Sequence, residues 1–174
     1  MFIKKLKNYK DSDLAIQFVA NTVKQQRQVI AQMDSPTKLL KVATNTHKVS
    51  TQHLLAKPLE KVATEATERA IALQNKLDTI AKQVVVNGTE VNGGSGRFTQ
   101  MVNRHGEANA LVRTVECCVG AKNFYKLVEK NALQYTAEFF VAKYMPFAVS
   151  TNVLNEIHQL LSTIEQPTSL QQVA

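Results

Sequence analysis

The chain has no tryptophan, two cysteines, four prolines and six glycines in 174 residues. So few breakers exclude a sandwich or barrel of short strands, which needs a turn every ~8–12 residues. The two cysteines, Cys117 and Cys118, are neighbours and cannot build a disulfide framework. No stretch reaches the ~18 consecutive apolar residues of a membrane-spanning helix. Carboxylates are also scarce: 14 Asp and Glu face 21 Lys and Arg, a net charge of +7.

Catalytic and cofactor signatures are missing as well. Gly93-Gly94-Ser95-Gly96 is glycine-rich but lacks the Lys-Ser/Thr of a phosphate loop and the spacing of a dinucleotide fingerprint. The histidines show no Glu-x-x-His or His-Glu-x-x-His spacing, and His105, Glu107 and the cysteine pair lack the Pro-Cys-x-x-Cys of a zinc deaminase. Cys117 and Cys118 follow Leu111, Val112 and Val115 and are expected as small core fillers in a reducing compartment, not as nucleophiles. No catalytic residue, metal site or cofactor is therefore expected, and the expectation is a non-enzymatic cytoplasmic protein.

What is present is helical periodicity. Asp11-Ser12-Asp13 can cap a first helix with a stripe of Ala15, Phe18, Val19, Thr22, Val23, Val29, Ile30 and Met33. Asp34-Ser35-Pro36 reads as a stop and a restart, with a capping residue followed by proline at the first helical position. Leu39, Val42, Thr46, Val49, His53 and Ala56 then recur in alternating steps of three and four. Leu59, Ala63, Ala66, Ala70, Leu73, Leu77, Ile80 and Val84 continue the rhythm. Pro58 falls where one step is short, and a kink or break is expected there. The seam is rich in alanine and threonine, so each position buries little apolar area and the helix needs partners.

The second half repeats the pattern with heavier side chains. One seam runs from Phe98 through Met101, Val102, His105, Ala108, Leu111, Val112 and Val115 to Val119. A second passes Phe124, Leu127, Val128, Ala132, Tyr135, Phe139 and Ala142, and a third follows Met145-Pro146 from Val149 to Ile164. The fold class is all-α: long, kinked amphipathic helices in a bundle or coiled-coil-like oligomer. The expected organisation is a basic arm over 1–10, a basic Ala/Thr-seam half over 11–86, a Gly-rich hinge over 87–97, an aromatic-rich half over 98–165 and a flexible tail over 166–174. The arm MFIKKLKNYK lacks the apolar core of a secretory signal. Residues 1–97 hold 15 basic and 8 acidic side chains, residues 98–174 six of each. The excess charge thus belongs to the first half, while most aromatics lie in the second.

The segment from Val29 to Leu77, VIAQMDSPTKLLKVATNTHKVSTQHLLAKPLEKVATEATERAIALQNKL, resembles the phasins, small helical proteins that coat polyhydroxyalkanoate granules in bacteria. The likeness lies in the turn at Asp-Ser-Pro and in the helix of small residues, Gln and Lys that runs on through Glu-Ala-rich turns. LVRTVECCVGAKNFYKLVEKNALQYTAEFFVAKYMPFAV, from Leu111 to Val149, has a similar layout of helix, short break and aromatic-bearing amphipathic helix. The resemblance covers residues 14–84 and 108–160. It implies a structural protein that self-associates and presents apolar helix faces to a hydrophobic granule surface. Phe124, Tyr125, Phe139, Phe140, Tyr144, Met145 and Phe147 are then the natural surface or oligomer contacts, and the plain alternative is that they fill a helical core. A second functional expectation rests on charge. Lys38, Lys41, Lys48 and Lys57 are candidate contacts to an anionic partner, as in a helical nucleic-acid-binding subunit of a nucleocapsid or an RNA-guided complex.

Overall fold

The computed structural model describes residues 12–52 and 56–165. The basic arm 1–10, the tail 166–174 and seam residue His53 lie outside the described residues. Among the described residues the fold is all-α, with eight α-helices and no strand. They are α1 (Ser12–Gln32), α2 (Pro36–Ser50), α3 (Leu59–Asn92), α4 (Gly96–His105), α5 (Glu107–Cys117), α6 (Lys122–Glu129), α7 (Ala137–Tyr144) and α8 (Thr151–Glu165). Short 3-10 turns at Leu133–Tyr135 and Pro146–Ala148 flank α7. The chain divides into two compact units, Met1–Asn75 and Lys76–Ala174.

The first unit contains α1, α2 and the first half of α3. Ser35 caps α2, its Oγ accepting the Lys38 N–H at 3.4 Å, and Pro36 occupies the first helical position, where a missing N–H costs nothing. The break at Pro58 is present: α2 ends at Ser50 and α3 starts at Leu59. Many stripe and seam positions become the core, joined by Ala43 and Val62, which the spacing does not select, while Phe18, Val42, Val49 and Leu73 pack at its edge half-buried. Ala15, Val19, Ile30, Leu39, Ala43, Ala56, Leu59, Val62, Ala66 and Ala70 are buried together. Five of the ten are alanines, so the helices approach closely but bury a modest apolar area. Polar clamps supplement that core. Arg69 on α3 donates from Nη2 to the carbonyls of Ala31 and Met33 at 3.0 and 3.4 Å, satisfying acceptors that the end of α1 leaves open. Arg27 grips Glu65 through two parallel N–H donors, which holds the Glu65 carboxyl below its ordinary range. Surface threonines are satisfied locally: Thr44, Thr64 and Thr67 each donate to the carbonyl four residues back.

The second unit contains the rest of α3 and helices α4 to α8. Here the expected long helices are corrected to helices of 8 to 15 residues. Gly106, at φ 76°, separates α4 from α5, a backbone region that side-chain-bearing residues rarely enter. The expected helix through Phe124 and Ala142 is broken at Asn131, at φ 56°, before Thr136 caps α7. Cys117 and Cys118 are corrected too: α5 ends there, Cys118 is extended, and both free thiols are exposed instead of filling the core. His105 and Val29, expected on buried stripes, are exposed.

The Gly-rich hinge is also narrower than expected. Helix α3 continues through Asn87–Asn92, and only Gly93, Gly94 and Ser95 interrupt the helices. Packing explains the continuation. A Cβ at Gly88 would stand 3.1 Å from the Tyr135 carbonyl oxygen, so glycine lets the helix press against that turn. Lys130 Nζ also donates to the Val91 carbonyl at 2.5 Å. Gly93, at φ 74°, ends the helix with its N–H on the Thr89 carbonyl at 2.8 Å. Val84 before this break and Phe98, Ala108 and Leu111 after it share one cluster, so the break sits inside a unit and does not separate two. That cluster packs α5 on α7 and α7 on α8, with Phe140, Val141, Val115 and Ile157 fully buried.

Candidate functional site

The seven aromatic-set residues separate by burial. Phe124, Phe140 and Met145 are core side chains of the second unit, so an exposed apolar contact is corrected for these three. Deleting or exposing them removes the apolar area that holds the unit together. Phe139, Tyr144 and Phe147 are half-buried. Lys143 Nζ lies 5.3 Å from both the Phe139 and Tyr144 ring centroids, covering their outer faces with a cation. Tyr125 alone is exposed, with its ring packed edge-on against Phe124 at 5.2 Å.

The lysines fall differently. Helix α2 has a buried side, formed by Leu39, Ala43, Thr46 and Ser50. Lys41 and Lys48, seven residues apart, align on the opposite side, and Lys38, three before Lys41, stands beside them. All three are exposed, and α2 contains no carboxylate. Lys57 is exposed as well, but it stands in the turn before α3 and is not part of that line. Thr37, Thr44 and Asn45 are exposed along the same face, adding polar groups between the cations. The first unit holds twelve Lys and Arg against six Asp and Glu, the second nine against eight. Redrawing the boundary at Asn75 leaves the charge asymmetry in place.

A cavity of about 110 Å³ lies in the second unit. Val84, Phe98, Leu111, Phe124, Leu127 and Tyr135 supply much of its wall, and Glu138 supplies a carboxyl. Glu138 is 2% exposed. Its position follows from the Thr136 cap: the hydroxyl oxygen accepts the Phe139 N–H at 3.2 Å and fixes the first turn of α7. Oε1 then accepts the Gly120 N–H at 3.0 Å. Gly120 adopts φ 71°, a conformation that favours glycine, and an added Cβ would crowd the Leu160 side chain at 3.2 Å. Burial raises the Glu138 pKa, while its own N–H and that of Gly120 oppose the rise. The sequence reading missed this residue. The available signal was one carboxylate inside the apolar run Ala137-Glu138-Phe139-Phe140-Val141-Ala142.

The sign of the shift sets a pH dependence. A carboxyl whose folded pKa exceeds its unfolded one contributes stability below the ordinary value of 4.5 and loses it as pH rises through the raised pKa. Glu138→Gln keeps an acceptor for Gly120 but cannot ionise. Its stability relative to the parent should therefore climb from pH 4.5 upward and level off above the raised pKa. Urea unfolding across that range measures the difference, and a pH-independent gap would show that Glu138 is not the titrating group.

Among the described residues no cluster of His, Cys, Asp and Glu can hold a metal ion, and no helix is long and apolar enough to cross a membrane. No protein-family profile, curated protein or solved structure matches the chain.

Proposed function

We propose that this chain is a non-enzymatic binding protein that holds a nucleic acid along the lysine face of α2. The observation carrying this reading is the row of Lys38, Lys41 and Lys48 on the exposed side of a helix without a carboxylate. Three cations spaced over some three turns match a phosphate backbone as point charges, and exposed Thr and Asn between them add hydrogen-bonding groups. Few aromatics stand in this unit, so bases are not stacked and binding is insensitive to sequence.

The test is a titration of labelled nucleic acid across a salt series. Lys38→Gln, Lys41→Gln and Lys48→Gln together should reduce the slope of log K against log salt by about 3. Being exposed, these changes should leave stability within about 0.5 kcal/mol. A parent chain whose binding is weak and indifferent to salt would overturn this reading.

A second reading, a self-associating coat on hydrophobic polyester granules, draws on the alanine-rich core of the first unit. Helices that bury so little per residue can exchange their mutual contacts for adsorption to an apolar surface or to further copies at small net cost. On this reading the first unit provides the surface, because the larger aromatics are engaged in the second. Adsorption to polyester particles that ignores both salt and the three lysine substitutions would favour the coat over the nucleic-acid reading.

A further inference from the structure

The cavity around Glu138 is chemically one-sided. Its lining contains no Lys, Arg or His, and Glu138 is its single carboxyl. The walls bring three rings, Phe98, Phe124 and Tyr135, together with Leu127, and neutral polar side chains from Thr89, Asn92, Ser95, Thr114, Asn123 and Thr136. An anionic guest would meet this carboxyl with no cation to offset it. A wholly apolar guest would add no partner for the carboxyl beyond the N–H groups of Gly120 and Glu138 itself.

The link to Gly120 does not by itself account for an acid at position 138. The Gly120 N–H and the N–H of Glu138 itself both favour the charged carboxylate, yet burial still outweighs them, and a glutamine carbonyl would accept the Gly120 N–H without the penalty of burying an ionisable group. A carboxylate becomes the better residue when a cation shares the cavity, since a paired ion recovers much of its desolvation and aromatic faces favour a neighbouring positive charge. Size narrows the guest further. At about 110 Å³ the cavity takes a short, unbranched alkyl chain and not a bulky group.

We propose that the cavity binds a small primary alkylammonium ion, with the ammonium against the Glu138 carboxylate and the alkyl chain among Phe98, Phe124 and Leu127. Where Glu138 is protonated beforehand, its proton passes to solvent as the cation enters, so charge balances. This site is independent of the lysine face, and the two proposals stand or fall separately.

The probe is n-butylammonium chloride, compared at neutral pH with n-butanol and sodium butyrate on the full chain. Calorimetric titration should give saturable binding of n-butylammonium with a Kd of about 1 mM or tighter, and the thermal midpoint should rise with it. Neither the alcohol nor the carboxylate should reproduce the effect. Glu138→Gln should weaken n-butylammonium binding at least tenfold while retaining the parent's helical circular dichroism. Equal binding by n-butanol, undiminished binding in Glu138→Gln, or no saturable signal for n-butylammonium would each overturn the proposal. If Glu138→Gln fails to fold, the parent's selectivity among the three probes decides.

Discussion

Phe140→Ala is expected to lower the unfolding free energy of the second unit by about 3–5 kcal/mol. Phe140 is fully buried and is among the largest such side chains in the structure. It sits in the cluster formed with Leu111, Val115, Val141 and Ile157, and its ring lies 5.7 Å from that of Tyr144. Removing the ring loses its transfer free energy and leaves a cavity that short helices fixed by caps at Ser95 and Thr136 close only in part. A unit of this size loses about 4–8 °C of melting temperature per kcal/mol, so the midpoint should fall by at least about 12 °C. Tyr125→Ala, on the exposed member of the same aromatic set, should stay within about 0.5 kcal/mol. Chemical denaturation followed by circular dichroism measures both. Similar small losses at the two positions would mean that Phe140 is not the core of the unit.

In the first unit the largest effect is expected from Leu39→Ala, at about 2–5 kcal/mol. Leu39 is fully buried, and five of its nine core companions are alanines. Few large side chains share the load, so one deletion removes a large fraction of the buried apolar area. Leu39 also faces away from Lys38, Lys41 and Lys48 on the same helix. Its loss should therefore loosen α2 and weaken polyanion binding indirectly, whereas the lysine substitutions should weaken binding with the helix intact. Hydrogen exchange on α2 amides separates the two: protection falls in Leu39→Ala and holds in the lysine variants. Retained protection in Leu39→Ala would place the anchor of α2 elsewhere.

The first unit was the more legible half. Spacing alone puts Leu39, Thr46, Ala56, Leu59, Ala63, Ala66 and Ala70 on a seam and all are buried, while Val42, Val49 and Leu73 of the same seam are half-buried. Periodicity works there because α2 and α3 run long enough to keep one phase. It failed where the phase was reset. Continuing a single helix past Asn131 put Tyr135, Phe139 and Ala142 inward, whereas the break at Asn131 and the new cap at Thr136 turn Ala137, Phe140 and Val141 inward instead. The same reset carries Glu138 into the cavity. Glycine was misread in both directions. Gly88 looked like a hinge residue and is a contact point within a helix, while Gly106 looked unremarkable inside a seam and divides two helices. What glycine permits at each position depends on its tertiary neighbour, and that neighbour is not local in the sequence. The lysine face was readable as charge; that Lys57 stands apart from it depends on where α2 ends.

The end of α5 leaves Cys117 and Cys118 uncovered as free thiols. The native chain therefore carries its own attachment point for a thiol-reactive dye, located in the second unit while the lysine face belongs to the first. Nucleic-acid titrations can be followed by a reporter in the other unit without introducing a cysteine. The same chemistry sets a condition on any measurement of self-association. In air-exposed stocks, exposed thiols become links between copies, so a dimer band counts as assembly only if it survives reductant.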